Sequence, residues 1–194
     1  MNIYDFDDTI YDGDSCRDII KYGIKHYPLK TIKSLFKSLI IYIKYKFKKV
    51  PFEQVKQEML SFIFSIDNYE EFIDSFVDSH FKNIKKWYLD NKKENDIIAT
   101  ASYELWISKF AFKLGIKNVI ATKTNNQGII IGKNCKRKEK VVRIKKEFKN
   151  ATFENSYSDS MSDLPILELS KKAFVVEGNK LIPYEKGYNF INRR

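Results

Sequence analysis

The chain has 194 residues, of which 43% are apolar and 15% aromatic, enough for a folded globule whose core needs neither disulfides nor a structural metal. Two distant cysteines (Cys16 and Cys135) and two histidines (His26 and His80) give no zinc spacing, so any metal is expected to be a hard cation held by oxygen. No basic-then-apolar leader opens the sequence and no apolar run approaches the roughly 18 residues that span a bilayer, so a soluble, cytoplasmic protein with reduced thiols is expected.

Residues 2–6 read as a short strand that runs into an Asp- and Gly-rich turn. From about residue 15 to 89 the pattern is helical. Leu29, Ile32, Leu35, Phe36, Leu39, Ile40, Ile43 and Phe47 recur at three- and four-residue steps, as one face of a helix does. Pro51 ends that helix, Phe52, Val55, Met59 and Phe62 continue the period in a second, and Tyr69 through Trp87 carry it in a third.

Beyond residue 90 the rhythm changes. Residues 96–100 form a buried-type strand, and a helix from Tyr103 ends at Gly115, a residue suited to a left-handed cap. A strand at 118–122 precedes a hairpin pattern over 126–132. A helix over 139–148, a strand over 152–157, a helix over 162–169 and a strand over 173–176 complete the alternation. Strands alternating with helices predict an α/β, three-layer sandwich around a mostly parallel, Rossmann-like sheet. The helical block reads as an all-helical cap, residues 14–90, inserted into a core made of 1–13 and 91–194.

Ligands of open parallel sheets bind beyond the carboxyl ends of the strands. Those ends carry Asp5, Asp7, Asp8 and Thr9, then Thr100, Ala101 and Ser102, then Lys140 at a helix start, then Asp159, Ser160 and Asp163. Carboxylates in this number suit Mg²⁺, which prefers oxygen and keeps several waters, while a lysine and hydroxyls suit a phosphate. Lys138 competes with Lys140 for the lysine's place. A lone acidic cluster is usually a solvated turn; two of them, each after a strand and at opposite ends of the chain, point to catalysis.

In motif order, spacing and helical insert, the sequence resembles the haloacid dehalogenase superfamily, in its phosphoserine-phosphatase-like branch with a small helical cap. The resemblance rests on Asp5-Phe6-Asp7-Asp8-Thr9, Ala99-Thr100-Ala101-Ser102, Lys140 and Asp159-Ser160-Met161-Ser162-Asp163. It implies a Mg²⁺-dependent phosphatase that hydrolyses a small phosphomonoester through an aspartyl-phosphate on Asp5. Asp7 would act as general acid and base. Mg²⁺ would be bound by the Asp5 carboxylate, the Asp7 carbonyl and the Asp159 carboxylate. Thr100, Ala101 and Lys140 would hold the phosphoryl oxygens, and Thr9, Ser160 and Asp163 would support the first ring of contacts. Asp14 and Ser102 are candidate substrate contacts, Asp14 also being suited to a turn or helix cap. Two departures stand out: Ser158 occupies a place where the family usually has Gly, and Thr100 one where this branch commonly has Ser.

The 17–56 segment holds eleven Lys and Arg against two acids, most of the chain's net charge of +10. Between Leu29 and Val50 stand Lys30, Lys33, Lys37, Lys44, Lys46, Lys48 and Lys49 with no acid. This helix reads either as a solvated cap face whose apolar stripe packs on the other cap helices, or as a weak contact for an anionic membrane surface. Nucleic acid is disfavoured because no nucleic-acid-binding pattern accompanies the lysines. A phosphotransferase, a phospholipid head-group phosphatase recruited by the basic cap, and a non-catalytic phospho-ligand-binding protein are the alternative functions.

Overall fold

A computed structural model describes residues 1–185. The strands, in chain order, are β1 (Ile3–Tyr4), β2 (Ile97–Tyr103), β3 (Asn118–Thr122), β4 (Phe153–Ser158), β5 (Ser170–Glu177) and β6 (Lys180–Pro183). They form one sheet in the order β3-β2-β1-β4-β5-β6, parallel throughout except for the antiparallel β5–β6 edge. The expected α/β architecture with a mostly parallel sheet is thus the fold. β1 lies between β2 and β4, so the loops after these three strands open side by side at one edge of the sheet, where connectivity reverses direction.

Five helices lie between β1 and β2: α1 (Ser15–His26), α2 (Pro28–Lys46), α3 (Phe52–Phe64), α4 (Tyr69–His80) and α5 (Lys86–Asn91). Asp14 caps α1 by accepting the Arg17 N–H at 3.0 Å, and Pro28 opens α2, where a missing N–H costs nothing. Then α6 (Glu104–Leu114), α7 (Lys138–Glu147) and α8 (Leu164–Leu167) alternate with the later strands. Gly115 ends α6 at φ 71°, in the expected left-handed cap.

One apolar cluster joins the helical block to the sheet: Phe6 and Tyr11 of the first loop meet Phe110 of α6, which meets Phe76 of α4. A second cluster, with Ile3, Ile97, Ala99, Ile144 and Ile166, fills the space under α7 and α8. Between these layers Tyr4 stacks on Tyr157, with ring centroids 4.6 Å apart and planes 3° from parallel, tying β1 to β4.

Several expectations change. The helix expected from Tyr69 to Trp87 breaks at His80: a 3-10 turn, Phe81–Asn83, and an extended Ile84 separate α4 from α5, and Ile84 bridges Tyr11 of the loop after β1. The helix expected over 162–169 shrinks to a 3-10 turn, Met161–Asp163, followed by the four residues of α8, with Pro165 in its first turn. The hairpin expected over 126–132 is a turn closed by a single Thr124–Ile130 bridge. β2 runs on to Tyr103, so Thr100, Ala101 and Ser102 belong to the strand's irregular end, where its register to β3 shifts. β6 was not legible in the sequence at all.

The largest correction concerns α2. Its apolar stripe does not pack on the cap. Leu29, Ile32, Phe36, Leu39, Ile40, Ile43 and Phe47 are between 46% and 83% exposed, while Thr31, Ser34 and Ser38 are buried. Ser34 donates to the carbonyls of Glu58 and Met59, Ser61 donates to Ser34 at 3.2 Å, and Lys30 donates to the Ser65 carbonyl at 2.6 Å. Small hydroxyl residues let α2 approach α3 closely while every buried oxygen of this seam finds a backbone or hydroxyl partner. That close, satisfied seam turns the bulky stripe outward.

Candidate active site

The first loop is built by short-range hydrogen bonds. The Phe6 carbonyl accepts from the N–H groups of Thr9, Ile10 and Tyr11, and the Asp8 N–H reaches the Gly13 carbonyl at 2.8 Å. Asp8 takes a left-handed backbone, φ 54°, a conformation that Asp tolerates better than most residues. The buried Lys85 ammonium holds the Asp8 carbonyl at 2.6 Å and the Gly178 carbonyl at 2.7 Å, fixing this loop to the β5–β6 turn. The turn therefore presents Asp5 and Asp7 on one side with little freedom.

Asp5 is buried, and its Oδ1 accepts from Lys140 Nζ at 2.7 Å. The same ammonium donates to Asp163 Oδ2 at 2.8 Å. Lys140 lies near the start of α7 and is fully buried, whereas Lys138 is exposed and lines only an outer groove; Lys140 is the lysine that reaches Asp5. Burial works against the Lys140 ammonium, but Asp163 and Asp5 outweigh it and hold its proton more tightly than usual. For Asp5, burial is the largest influence and raises its proton affinity; Lys140 opposes the rise, and the charges of Asp163 and Asp159 add to it.

Asp7 sits beside it with both oxygens engaged: Oδ1 accepts the Ser15 N–H at 2.6 Å and Oδ2 accepts the Ser102 hydroxyl at 2.6 Å. Desolvation raises its pKa, the nearby Asp14 charge adds to the rise, and the hydrogen bonds from Ser102 and Ser15 pull it back. A carboxyl kept protonated above its ordinary range is what a general acid requires.

The carboxyl end of β4 braces the other side. Ser158 has an ordinary backbone, outside the positive-φ residues, so a serine in a place usual for glycine is unstrained. Its hydroxyl donates to Asp163 Oδ2 at 3.0 Å and accepts the Ser160 N–H at 3.2 Å, support that glycine would not offer. The Asp159 N–H donates to Thr9 Oγ1 at 3.1 Å, joining the first and last loops. Ser160 caps the 3-10 turn that carries Asp163 by accepting the Ser162 N–H. Thr100 accepts the Ser102 N–H at 3.1 Å, and the Ala101 carbonyl accepts from Thr122 and from Lys56.

These residues surround a cavity of about 250 Å³ lined by Asp5, Asp7, Asp14, Thr100, Ala101, Ser102, Lys140, Ser160 and Asp163. It shares Phe52, Asn134, Lys136, Ser160 and Ser162 with a larger outer groove of about 1330 Å³, to which Asp159 belongs. Of the two candidate substrate contacts, Asp14 caps α1 while still lining the cavity. Ser102 is engaged by Asp7, by Ser15 at 3.2 Å and by the Cys16 sulfur at 3.4 Å.

The wall also holds groups that sequence reasoning missed. Lys56 of α3 is buried, donates to the Ala101 carbonyl at 2.6 Å and to Asn134 Oδ1 at 3.1 Å, and lies 4.8 Å from the Tyr103 ring centre. Cys16, also on the wall, is no reactive thiol: burial pushes it up to about 12. Neither carries a sequence signal beyond its residue type.

Among the described residues no three His, Cys, Asp or Glu side chains converge as a closed metal cage. Two carboxylates, a backbone carbonyl and water are the open, all-oxygen set that Mg²⁺ accepts. The charges of Asp163 and Asp159 raise the proton affinity of Asp5 and the Lys140 ammonium lowers it, so a positive charge beside Asp5 fits the site's electrostatics.

Comparison with solved structures gives the same fold. A protein of unknown function from Bordetella pertussis Tohama I aligns with a TM-score of 0.72 at 18% identity, over 90% of this chain and 88% of that one. A phosphoserine phosphohydrolase-like protein from Francisella tularensis aligns at 0.56 and 19% identity, over 90% and 87%. A phospho-aspartyl intermediate analogue of phosphoserine phosphatase aligns at 0.50 and 16%, over 89% and 84%. Comparison with curated protein sequences returns no match. The family model for haloacid dehalogenase-like hydrolases spans residues 3–168, from β1 through α8, and so takes in the whole cluster around Asp5; the chain belongs to that family.

Proposed function

We propose that the protein is a Mg²⁺-dependent phosphatase that hydrolyses a small phosphomonoester through an aspartyl-phosphate on Asp5. The observation that carries this reading is the Asp5–Lys140 contact at the floor of a small cavity, with Asp7 held beside it by Ser15 and Ser102. The Asp5 carboxylate attacks phosphorus and the ester oxygen departs. Asp7, whose hold on a proton burial strengthens, gives that oxygen its proton. Water, giving a proton back to Asp7, then attacks the phosphoryl group and restores the Asp5 carboxylate. Lys140, the Thr100 hydroxyl and backbone N–H groups of the β2 end neutralise and orient the phosphoryl oxygens. Mg²⁺, held by the Asp5 and Asp159 carboxylates and the Asp7 carbonyl, would supply charge neutralisation between carboxylates and phosphate.

Phosphomonoester hydrolysis is among the slowest uncatalysed reactions, and the site must lower its barrier by about 20 kcal/mol or more. Lys56, Met59 and Phe52 bring the helical insert to the cavity, so α3 is the element that sets which alcohol is accepted. The test is phosphate release from a panel of phosphomonoesters with Mg²⁺ and with EDTA, wild type beside Asp5→Asn. Turnover that needs both metal and Asp5 is expected. Turnover by folded Asp5→Asn would refute the assignment of the nucleophile.

A further inference from the structure

Among the described residues, nothing covers the outward face of α2. Leu29, Ile32, Phe36, Leu39, Ile40, Ile43 and Phe47 project over an arc of about 100° of the helix, a stripe of a width usually turned to a core. Beside it stand lysines. Lys33 and Lys44 border the stripe, and Lys48 and Lys49 follow its end; none of these four has an acidic partner among the described residues. Lys37 has an acidic partner, Glu58 at 3.9 Å. A contiguous apolar stripe on a surface marks an interaction site, whereas single exposed apolar residues do not.

We propose that this face docks on an anionic lipid bilayer, lying in the interface with the apolar stripe among the acyl chains and the lysines at the anionic head groups. Among the described residues no helix is long and apolar enough to cross a membrane, so α2 would lie on the surface. Charge selects this occupant. A second copy meeting the same face about a two-fold axis would set lysine rows against each other. Three of the four acidic side chains of α4 are already engaged, Glu70 and Asp74 by Lys109 and Asp78 by Lys113, which leaves Glu71 alone to meet the lysines of a copy head-to-tail.

The position of α2 gives the docking a consequence. Tyr45, in its last turn, packs edge-on against Phe52 at 5.5 Å, and Phe52 lines both the inner cavity and the outer groove. That groove is bordered by Arg17, Lys133, Lys136, Arg137 and Lys138. A bilayer held by α2 would therefore meet the protein next to this groove, whose lining also carries Asp8, Asp12, Glu53, Glu139, Asp159 and Glu177. The docking itself does not depend on the proposed hydrolysis.

Co-sedimentation with phosphatidylcholine vesicles, with and without phosphatidylglycerol, tests this. Binding is expected to the anionic vesicles alone, and to weaken as ionic strength rises toward about 0.15 M. Phe36→Ser, Ile40→Ser and Ile43→Ser together should weaken it by more than about tenfold. Lys33→Gln, Lys44→Gln and Lys49→Gln should weaken it by roughly fivefold each. Phe112→Ser, at an exposed position on α6, should leave it unchanged. Because all these side chains are exposed, far-ultraviolet circular dichroism and melting temperature should stay at wild-type values. Wild type that does not sediment with anionic vesicles at low salt overturns the proposal. So does unchanged binding by the triple serine variant, or a dimer in sedimentation equilibrium that the serine variant abolishes without any vesicle binding.

Discussion

Lys140→Met is the sharpest probe of the site, because it removes one charge and little volume. The ammonium is fully buried and divides its hydrogen bonds between Asp5 at 2.7 Å and Asp163 at 2.8 Å. Methionine fills nearly the same space, so packing changes little. Removing one partner of a buried ion pair leaves the other charge uncompensated, at a cost of about 3–5 kcal/mol. For a chain of this length each kcal/mol shifts the melting temperature by about 2–4 °C, so a fall of roughly 6–20 °C is expected at neutral pH. The loss depends on pH. Asp5 has a folded pKa above its unfolded value, so its contribution to stability is full below about pH 4 and is lost as pH rises through the folded pKa. Without Lys140 that folded pKa climbs further, and the variant should fall behind wild type as pH increases and recover toward it in acid. Scanning calorimetry in EDTA across pH, independent of any activity, measures this. A Lys140→Met protein melting within about 2 °C of wild type at neutral pH, with no widening gap as pH rises, would show that the ammonium does not compensate Asp5 and Asp163.

Other outcomes follow from the same geometry. Asp7→Asn should slow hydrolysis of alkyl phosphates far more than that of p-nitrophenyl phosphate, whose leaving group needs no proton; equal slowing in kcat would remove Asp7 as general acid. Ser102→Ala deletes a hydrogen bond that lowers the Asp7 pKa, so the alkaline limb of kcat/KM should move to higher pH, and a limb that stays in place or moves down would contradict the acid assignment. Gly23→Ala would drive a Cβ into the Phe62 ring and within 2.9 Å of Thr31 Oγ1, at the junction of α1, α2 and α3. The clash outweighs the helix-propensity gain, and destabilisation of about 1–2 kcal/mol is expected in urea unfolding.

What the sequence by itself determined is local. Asp5 and Asp7 follow an apolar strand, and Asp159 and Asp163 follow the more polar β4; such pairs are legible because the spacing and the strand end lie within a few residues. Lys140 was legible as the lysine of a helix start, though only the burial of α7 against the sheet separated it from Lys138. The parallel sheet followed from the alternation of strands and helices. Direction was not legible. The period of Leu29 to Phe47 established a helix, but a stripe has no label saying core or surface, and the hydroxyl-lined seam of Ser34 and Ser61 decided which face went inward. Lys56 looked like one more charge of a basic segment until α3 carried it over the end of β2. Nor did β6 declare itself, since its four residues are mostly exposed and their pairing with β5 is an edge contact made only once β5 is in place. Periodicity and spacing are properties of a segment; burial, facing and charge pairing belong to two segments at once, and the tertiary structure alone brings the second one.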